Sequence, residues 1–273
     1  AENDELLMEA TKNEGGEPLS FHTKWVPSPD AAAHITDRLE RALRLSRYRM
    51  AMPTLDLVAF HWWDYADQGY RDLLQHAVAL MGPQEEDSAD GTVIDRPPVL
   101  KGVALTNFNL ERLQEIVEPP SSITRRTGFE GVQVVSNQVS FSIIDTRPID
   151  GGMLRWCEKR GISIMAYGVL LGGLLSDDWL GAEEPTPKTE GGEPELELDT
   201  PSLERSFGYV LRWGSWEHFQ DLLIVLRDIA DKHQRQIRKV AAKLGTGYER
   251  SSAGSWQHQP QLDAKVSIAH RLS

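Results

Sequence analysis

Five apolar, strand-like runs alternate with amphipathic, helix-like segments, and this alternation limits the chain's possible folds more than any other feature. The runs are FHTK ending at Lys24, LDLVAFHWWD carrying His61, GVALTN ending at Thr106 and Asn107, VQVVSNQ ending at Gln138, and ISIMAYG carrying Tyr167. A β-α-β-α order implies parallel strands joined by helical crossovers. The nearly continuous apolar run at 55–61 suits a parallel strand covered on both faces. The predicted fold class is α/β, a (β/α)8 TIM barrel, in which the carboxyl ends of the strands meet at one mouth and build the active site. Five strands are fewer than closure requires, so the barrel is expected to be incomplete, with its first strands missing and its last not recognisable.

The segments between the strands follow helical spacing. Ile35, Leu39, Ala42 and Leu43 make one apolar face in a helix predicted to run from Pro29. YRDLLQHAVALM is amphipathic, LERLQEIVE begins after Asn109 as its cap, and Phe219, Leu222, Leu223, Leu226 and Ile229 form one stripe. Residues 1–240 are thus expected to form the barrel. Residues 82–98 read as an acidic insertion loop, 181–202 as an acidic Pro/Gly-rich loop, and 241–273 as an irregular tail without a further strand.

Charge and cysteine usage narrow the partners. The net charge of −12 argues against nucleic acid and anionic membranes, because phosphate binding needs clustered positive charge. Cys157 is the only cysteine, so no intramolecular disulfide can form and a reducing compartment, the cytoplasm, is expected. The opening AENDELLMEATKNEGG lacks the basic and apolar regions of a secretory signal.

The polar strand ends carry the chemistry. Lys24 either snorkels to the rim or stabilises a nearby phenolate and so lowers a tyrosine's pKa. His61 is either a satisfied rim histidine or a neutral imidazole that donates to a substrate carbonyl. Thr106, Asn107 and Gln138 are either caps and turn residues or, as an ordered set, a grip for a primary amide such as a nicotinamide carboxamide, with Tyr167 stacking on its ring. The aromatic Trp62, Trp63 and Tyr65 either line a pocket or pack beneath a loop. Metal ligation is not expected, since no His-x-His stands at a strand end. GxGxxG, GxxxxGK[ST] and GxSxG are absent, which removes support for a Rossmann domain, a P-loop or a nucleophile elbow.

HTKWVPSPD, LDLVAFHWWDY, KGVALTNFN, VVSNQVSFSIIDTRP, AYGVLLGGLLSDDWLG and WGSWEHFQDLL resemble, in order, successive blocks of the aldo-keto reductase superfamily over roughly residues 1–235. That resemblance implies an (α/β)8 barrel, NADP(H) as cofactor, and hydride transfer between nicotinamide and an aldehyde, ketone or alcohol as the small-molecule substrate. The family works with an Asp, Tyr, Lys and His tetrad, in which Tyr gives the proton, Lys and Asp tune it, and His orients the carbonyl. Lys24 and His61 match the last two. The resemblance also implies that Thr106, Asn107 and Gln138 hold the carboxamide, Tyr167 stacks on nicotinamide, and Gly168 and Leu170 lie along the pyrophosphate. Trp25, Trp62, Trp63 and Tyr65 are expected to line the substrate mouth. ELLMEA looks like the family's helix just after the tetrad Asp and Tyr, so both are expected to fall upstream of Ala1 and activity to be impaired. The family's G-x-R segment is not seen after Lys239. A reading from another class is a non-catalytic relative that binds a nucleotide or a partner protein.

Overall fold

Short β-branched and apolar runs form strands here, and the longer amphipathic runs between them form helices. The computed structural model describes residues 20–27, 34–62, 64–87, 93–118, 132–185, 198–245, 248–250 and 256–258. The chain begins with β1 (His22–Trp25), α1 (Ile35–Arg49), β2 (Leu57–His61) and α2 (Gly69–Met81). A pair of strands, β3 (Gln84–Asp87) and β4 (Val93–Arg96), precedes β5 (Val103–Thr106), α3 (Leu110–Val117) and β6 (Val134–Ser140). Short helices α4 (Arg147–Asp150) and α5 (Met153–Glu158) lead to β7 (Ser163–Tyr167). Helices α6 (Pro201–Trp213), α7 (Trp216–Lys232) and α8 (Ile237–Gly245) follow, then β8 (Tyr248–Arg250) and β9 (Trp256–His258).

The main sheet has the order β1-β2-β5-β6-β7, so its strands lie side by side in their chain order, as in a singly wound barrel, with the β3–β4 pair forming a separate sheet. The order has two ends and does not close among the described residues. Compact packing divides the chain into two units, residues 1–138 with 161–164, and residues 139–160 with 165–273.

In the first unit β1, β2, β5 and β6 pair in parallel. Three successive rows cross them: Lys24–Ala59–Ala104–Ser136, then Trp25–Phe60–Leu105–Asn137, then His61–Thr106–Gln138. Neighbouring rows face opposite sides, so the first and third share one face. Ile35, Leu39 and Leu43 of α1 are buried, as are Tyr70, Leu73, Leu74, Ala77 and Leu80 of α2. Each set recurs every three or four residues, the spacing that buries one side of a helix. Asn109 caps α3 as its sequence position implies, its side chain accepting from the Arg112 N–H at 2.9 Å. The Asp56 carboxylate accepts from the Phe21 N–H at 2.8 Å and from Lys101 at 2.7 Å, tying the lead-in of β1 to that of β2. Burial opposes ionisation of Asp56, but these donors outweigh it and hold its pKa below the usual carboxylate value.

The second unit is mostly helical. Phe219, Leu222, Leu223, Leu226 and Ala230 of α7 pack with Leu203 and Val210 of α6 and with Ile237, Val240 and Ala241 of α8. Trp179 and Trp216 meet edge to face at 5.9 Å, and the Trp216 indole donates to the Ala182 carbonyl at 2.9 Å. Arg227 and the Ile237 N–H both donate to the Asp177 carboxylate, which pins the start of α8. Cys157 is fully buried and its thiol pKa is pushed up to about 12, so it is an inert core residue.

Three segments depart from their sequence reading. Within 82–98, β3 and β4 pair antiparallel, since strand pairing satisfies backbone donors and acceptors whatever the composition of the segment. Pro201 and Ser202, read as loop, open α6 behind the Thr200 cap, whose hydroxyl accepts from the Leu203 N–H at 3.2 Å. The tail read as having no further strand carries the antiparallel pair β8–β9. Among the described residues no helix is long and apolar enough to cross a membrane.

Candidate active site

Register brings Lys24, His61, Thr106 and Gln138 to one face of the first unit's sheet, at the carboxyl ends of four adjacent parallel strands. Lys24 Nζ donates to Gln138 Oε1, a bond between side chains 114 residues apart. Gln138 holds the next position as well, because its carbonyl accepts from the Asn107 N–H at 2.8 Å. Asn107 stands just past the end of β5 with a left-handed backbone, φ 65°. This conformation is uncommon outside glycine, and asparagine tolerates it better than most residues. It carries the carboxamide back to the histidine, where Asn107 Nδ2 lies 2.7 Å from His61 Nε2.

The electrostatics of His61 follow from this setting. Partial burial penalises the imidazolium and the Lys24 charge repels it, so its pKa lies below the ordinary histidine value. The neutral ring, with Nε2 accepting from Asn107, is the form that the surroundings favour. Thr106 is 1% exposed, and its Oγ1 is buried with no hydrogen-bond partner among the described residues. A buried hydroxyl without a partner is costly, which makes this position suited to a ligand that supplies one.

The aromatic residues expected at the mouth separate from this row. Trp25 follows Lys24 directly and therefore lies on the other face, edge to face with Phe60 at 6.4 Å. Trp62 is 5% exposed, its indole donating to the Asp64 carbonyl at 2.7 Å and its ring set against Tyr70 at 6.0 Å. Trp62 is thus a packed residue under the loop into α2 rather than a pocket wall. Tyr65 donates its hydroxyl to the Asn107 carbonyl at 2.6 Å and accepts from the Asn109 N–H at 3.1 Å. Burial raises its pKa, only partly offset by the Asn109 N–H and the Arg112 charge, so it is poorly placed to release a proton. Trp63 lies outside the described residues.

Tyr167, Gly168 and Leu170 belong to the second unit. Tyr167 is 40% exposed at the end of β7, and its carbonyl accepts from the Phe141 N–H at 3.0 Å. Gly168 has φ 71° and opens the turn in which the Leu170 carbonyl accepts from the N–H groups of Gly173 and Leu175. Sequence reasoning missed the Asn107–His61 pairing and the position of Trp25. Strand parity would have found the second, since consecutive strand residues cannot share a face. Among the described residues no group of three or more His, Cys, Asp or Glu side chains is arranged to hold a metal.

The model of the aldo/keto reductase family matches residues 1–244. Flagellar radial spoke protein 5 of Chlamydomonas reinhardtii is 31% identical over 194 residues, which is 69% of this chain and 33% of that protein. The chain therefore spans about a third of the length of that relative. Among solved structures, a thermostable aldo-keto reductase in complex with the inhibitor epalrestat is 17% identical with a TM-score of 0.50, over 100% of this chain and 73% of that one. The glycerol dehydrogenase of Gluconobacter oxydans is 17% identical with a TM-score of 0.51, over 86% of this chain and 64% of that one. At such identities the likeness concerns the fold, which is that of an aldo-keto reductase barrel.

Proposed function

The chain belongs to the aldo/keto reductase family, and from that premise we propose that it binds NADP(H) and serves hydride transfer between the nicotinamide and an aldehyde, ketone or alcohol. The observation that carries the reading is the shared face of Lys24, His61, Thr106 and Gln138, with Asn107 bent back over it. The residues fit a nicotinamide carboxamide. Such a group needs both donors and acceptors, and the buried, unpartnered Thr106 hydroxyl stands beside two carboxamides, those of Asn107 and Gln138.

When bound, NADPH supplies the hydride that adds to the carbonyl carbon. His61 orients the carbonyl oxygen from one side, and its neutral ring can hydrogen-bond that oxygen without adding a full charge. Donation from Nε2 takes the ring tautomer that carries its proton there rather than on Nδ1. Lys24 holds Gln138 and places a cation where negative charge develops. The proton that completes the alcohol would come from solvent water, because the Tyr65 hydroxyl is committed to the backbone and does not supply it. The proposed site of action is the cytoplasm.

A second reading has its own support. The likeness to a flagellar radial spoke protein supports a non-catalytic relative that binds a nucleotide or a partner protein. Titration with NADPH, followed by quenching of tryptophan fluorescence, addresses both. Saturable binding in the micromolar range, weakened about tenfold by Asn107→Ala or Gln138→Ala, is expected. Binding without reduction of small aldehydes would leave the second reading standing. Absence of saturable quenching, in protein that circular dichroism shows to be folded, would end the cofactor reading.

A further inference from the structure

The loop after β2 contains a polar group that the proposed chemistry leaves unused. The Tyr65 hydroxyl makes two hydrogen bonds that straddle Phe108, to the Asn107 carbonyl on one side and from the Asn109 N–H on the other. The Phe108 carbonyl between them accepts from Asn137 Nδ2 at 2.8 Å. Three consecutive residues are thus gripped through their backbone just where Asn107 takes up its left-handed conformation. The Tyr65 ring is itself immobilised, edge to face against Tyr70 at 6.3 Å and Phe108 at 6.0 Å, both of which are almost wholly buried. The Arg112 guanidinium lies over its ring at 5.6 Å and pairs with Glu115 at 2.7 Å, and Glu115 also accepts from the Tyr70 hydroxyl. A rigid aromatic brace therefore ends on one carbonyl and one N–H.

The geometry points to Tyr65 as a positioning residue: its hydroxyl holds the left-handed turn at Asn107 and thereby sets the Asn107 carboxamide against His61 Nε2. The left-handed region costs a non-glycine residue energy, so it persists only where surrounding bonds impose it. Without the hydroxyl, Asn107 relaxes toward the ordinary β or α regions and its carboxamide swings away from the ring. The effect on the nicotinamide grip rests on the cofactor reading given above; the effect on His61 does not.

Tyr65→Phe tests this with little disturbance, because the phenyl ring keeps its contacts with Tyr70 and Phe108. Two readouts apply, the 15N chemical shifts of the His61 ring nitrogens and the affinity for NADPH. Asn107→Ala, which deletes the amide outright, calibrates the first. The expected result is a folded protein whose His61 shifts move toward the Asn107→Ala pattern, with NADPH bound about 3- to 30-fold more weakly. Wild-type His61 shifts in Tyr65→Phe would overturn the assignment, and so would unchanged affinity in a protein that binds NADPH. Unfolding of Tyr65→Phe would also overturn it, since the hydroxyl would then be supporting the fold rather than the site. If the wild-type chain binds no NADPH, the cofactor reading fails and the brace is judged on the His61 shifts alone.

Discussion

At the ends of β1, β2, β5 and β6, polar side chains share one face of the sheet, whereas Trp62 and Tyr65, in the stretch that follows β2, spend their polar atoms on the protein itself. Lys24, His61, Thr106 and Gln138 stand in rows set by parallel register. Trp62 and Tyr65, a few residues further on, donate to the backbone carbonyls of Asp64 and Asn107. By composition alone the aromatic stretch is the better pocket. The difference lies in chain geometry: a strand presents alternate residues to a face, while a loop folds back and consumes its own donors. The chemistry proposed above rests on the first region.

The sharpest way to break this contrast is to remove the packing that makes the loop rigid. Trp62→Ala deletes an indole that is 5% exposed and set against Tyr70. It is expected to cost about 3–5 kcal/mol, read as a fall in the urea midpoint. A loss below about 1 kcal/mol would show that the indole was at a solvent-facing mouth after all, as its sequence position suggests.

A smaller effect tests the strand-end row. The folded pKa of His61 is lowered, first by burial and then by Lys24, so the unfolded chain binds a proton at higher pH than the folded chain does. Stability contributed at this position is therefore present above the ordinary histidine pKa, near ~6.5, and is lost as the pH falls from there toward the folded value. Comparing the wild type with His61→Gln between about pH 8 and about pH 5 should show the wild type losing its relative advantage on acidification. A flat or reversed difference would mean that the ring is not held neutral at the site.

How far these features were legible in the sequence depends on the range of the interactions behind them. The strands and the set Lys24, His61, Thr106 and Gln138 were visible because polar residues at the ends of apolar runs stand out locally. The face of Trp25 was equally legible and was misjudged, since it sits next to Lys24 in a strand. The role of Tyr65 was not legible at all: its partner is a backbone carbonyl 42 residues away, a contact that leaves no pattern in either segment. Asn107 carried a faint hint, as asparagine is a common choice for a left-handed turn, but nothing local said that its carboxamide would meet His61. The ribbon of β3 and β4 was hidden by composition, because acidic residues signal solvation and say little about backbone pairing.

The adjacent pair Lys24 and Trp25 gives the finest test, because two neighbours on opposite faces ought to separate stability from binding. Lys24 is exposed, and its described hydrogen bond is the one to Gln138 Oε1. Lys24→Met keeps the aliphatic stem and removes the ammonium, so the fold is expected to change by no more than about 0.5 kcal/mol. Gln138 then loses its anchor, and NADPH affinity is expected to fall about tenfold, the worth of one charge-assisted hydrogen bond. Thermal unfolding and nucleotide titration on the same preparation decide the matter. A drop in stability above about 1 kcal/mol with unchanged affinity would make the Lys24–Gln138 bond a strut between strands, and the row at the strand ends would lose its cation.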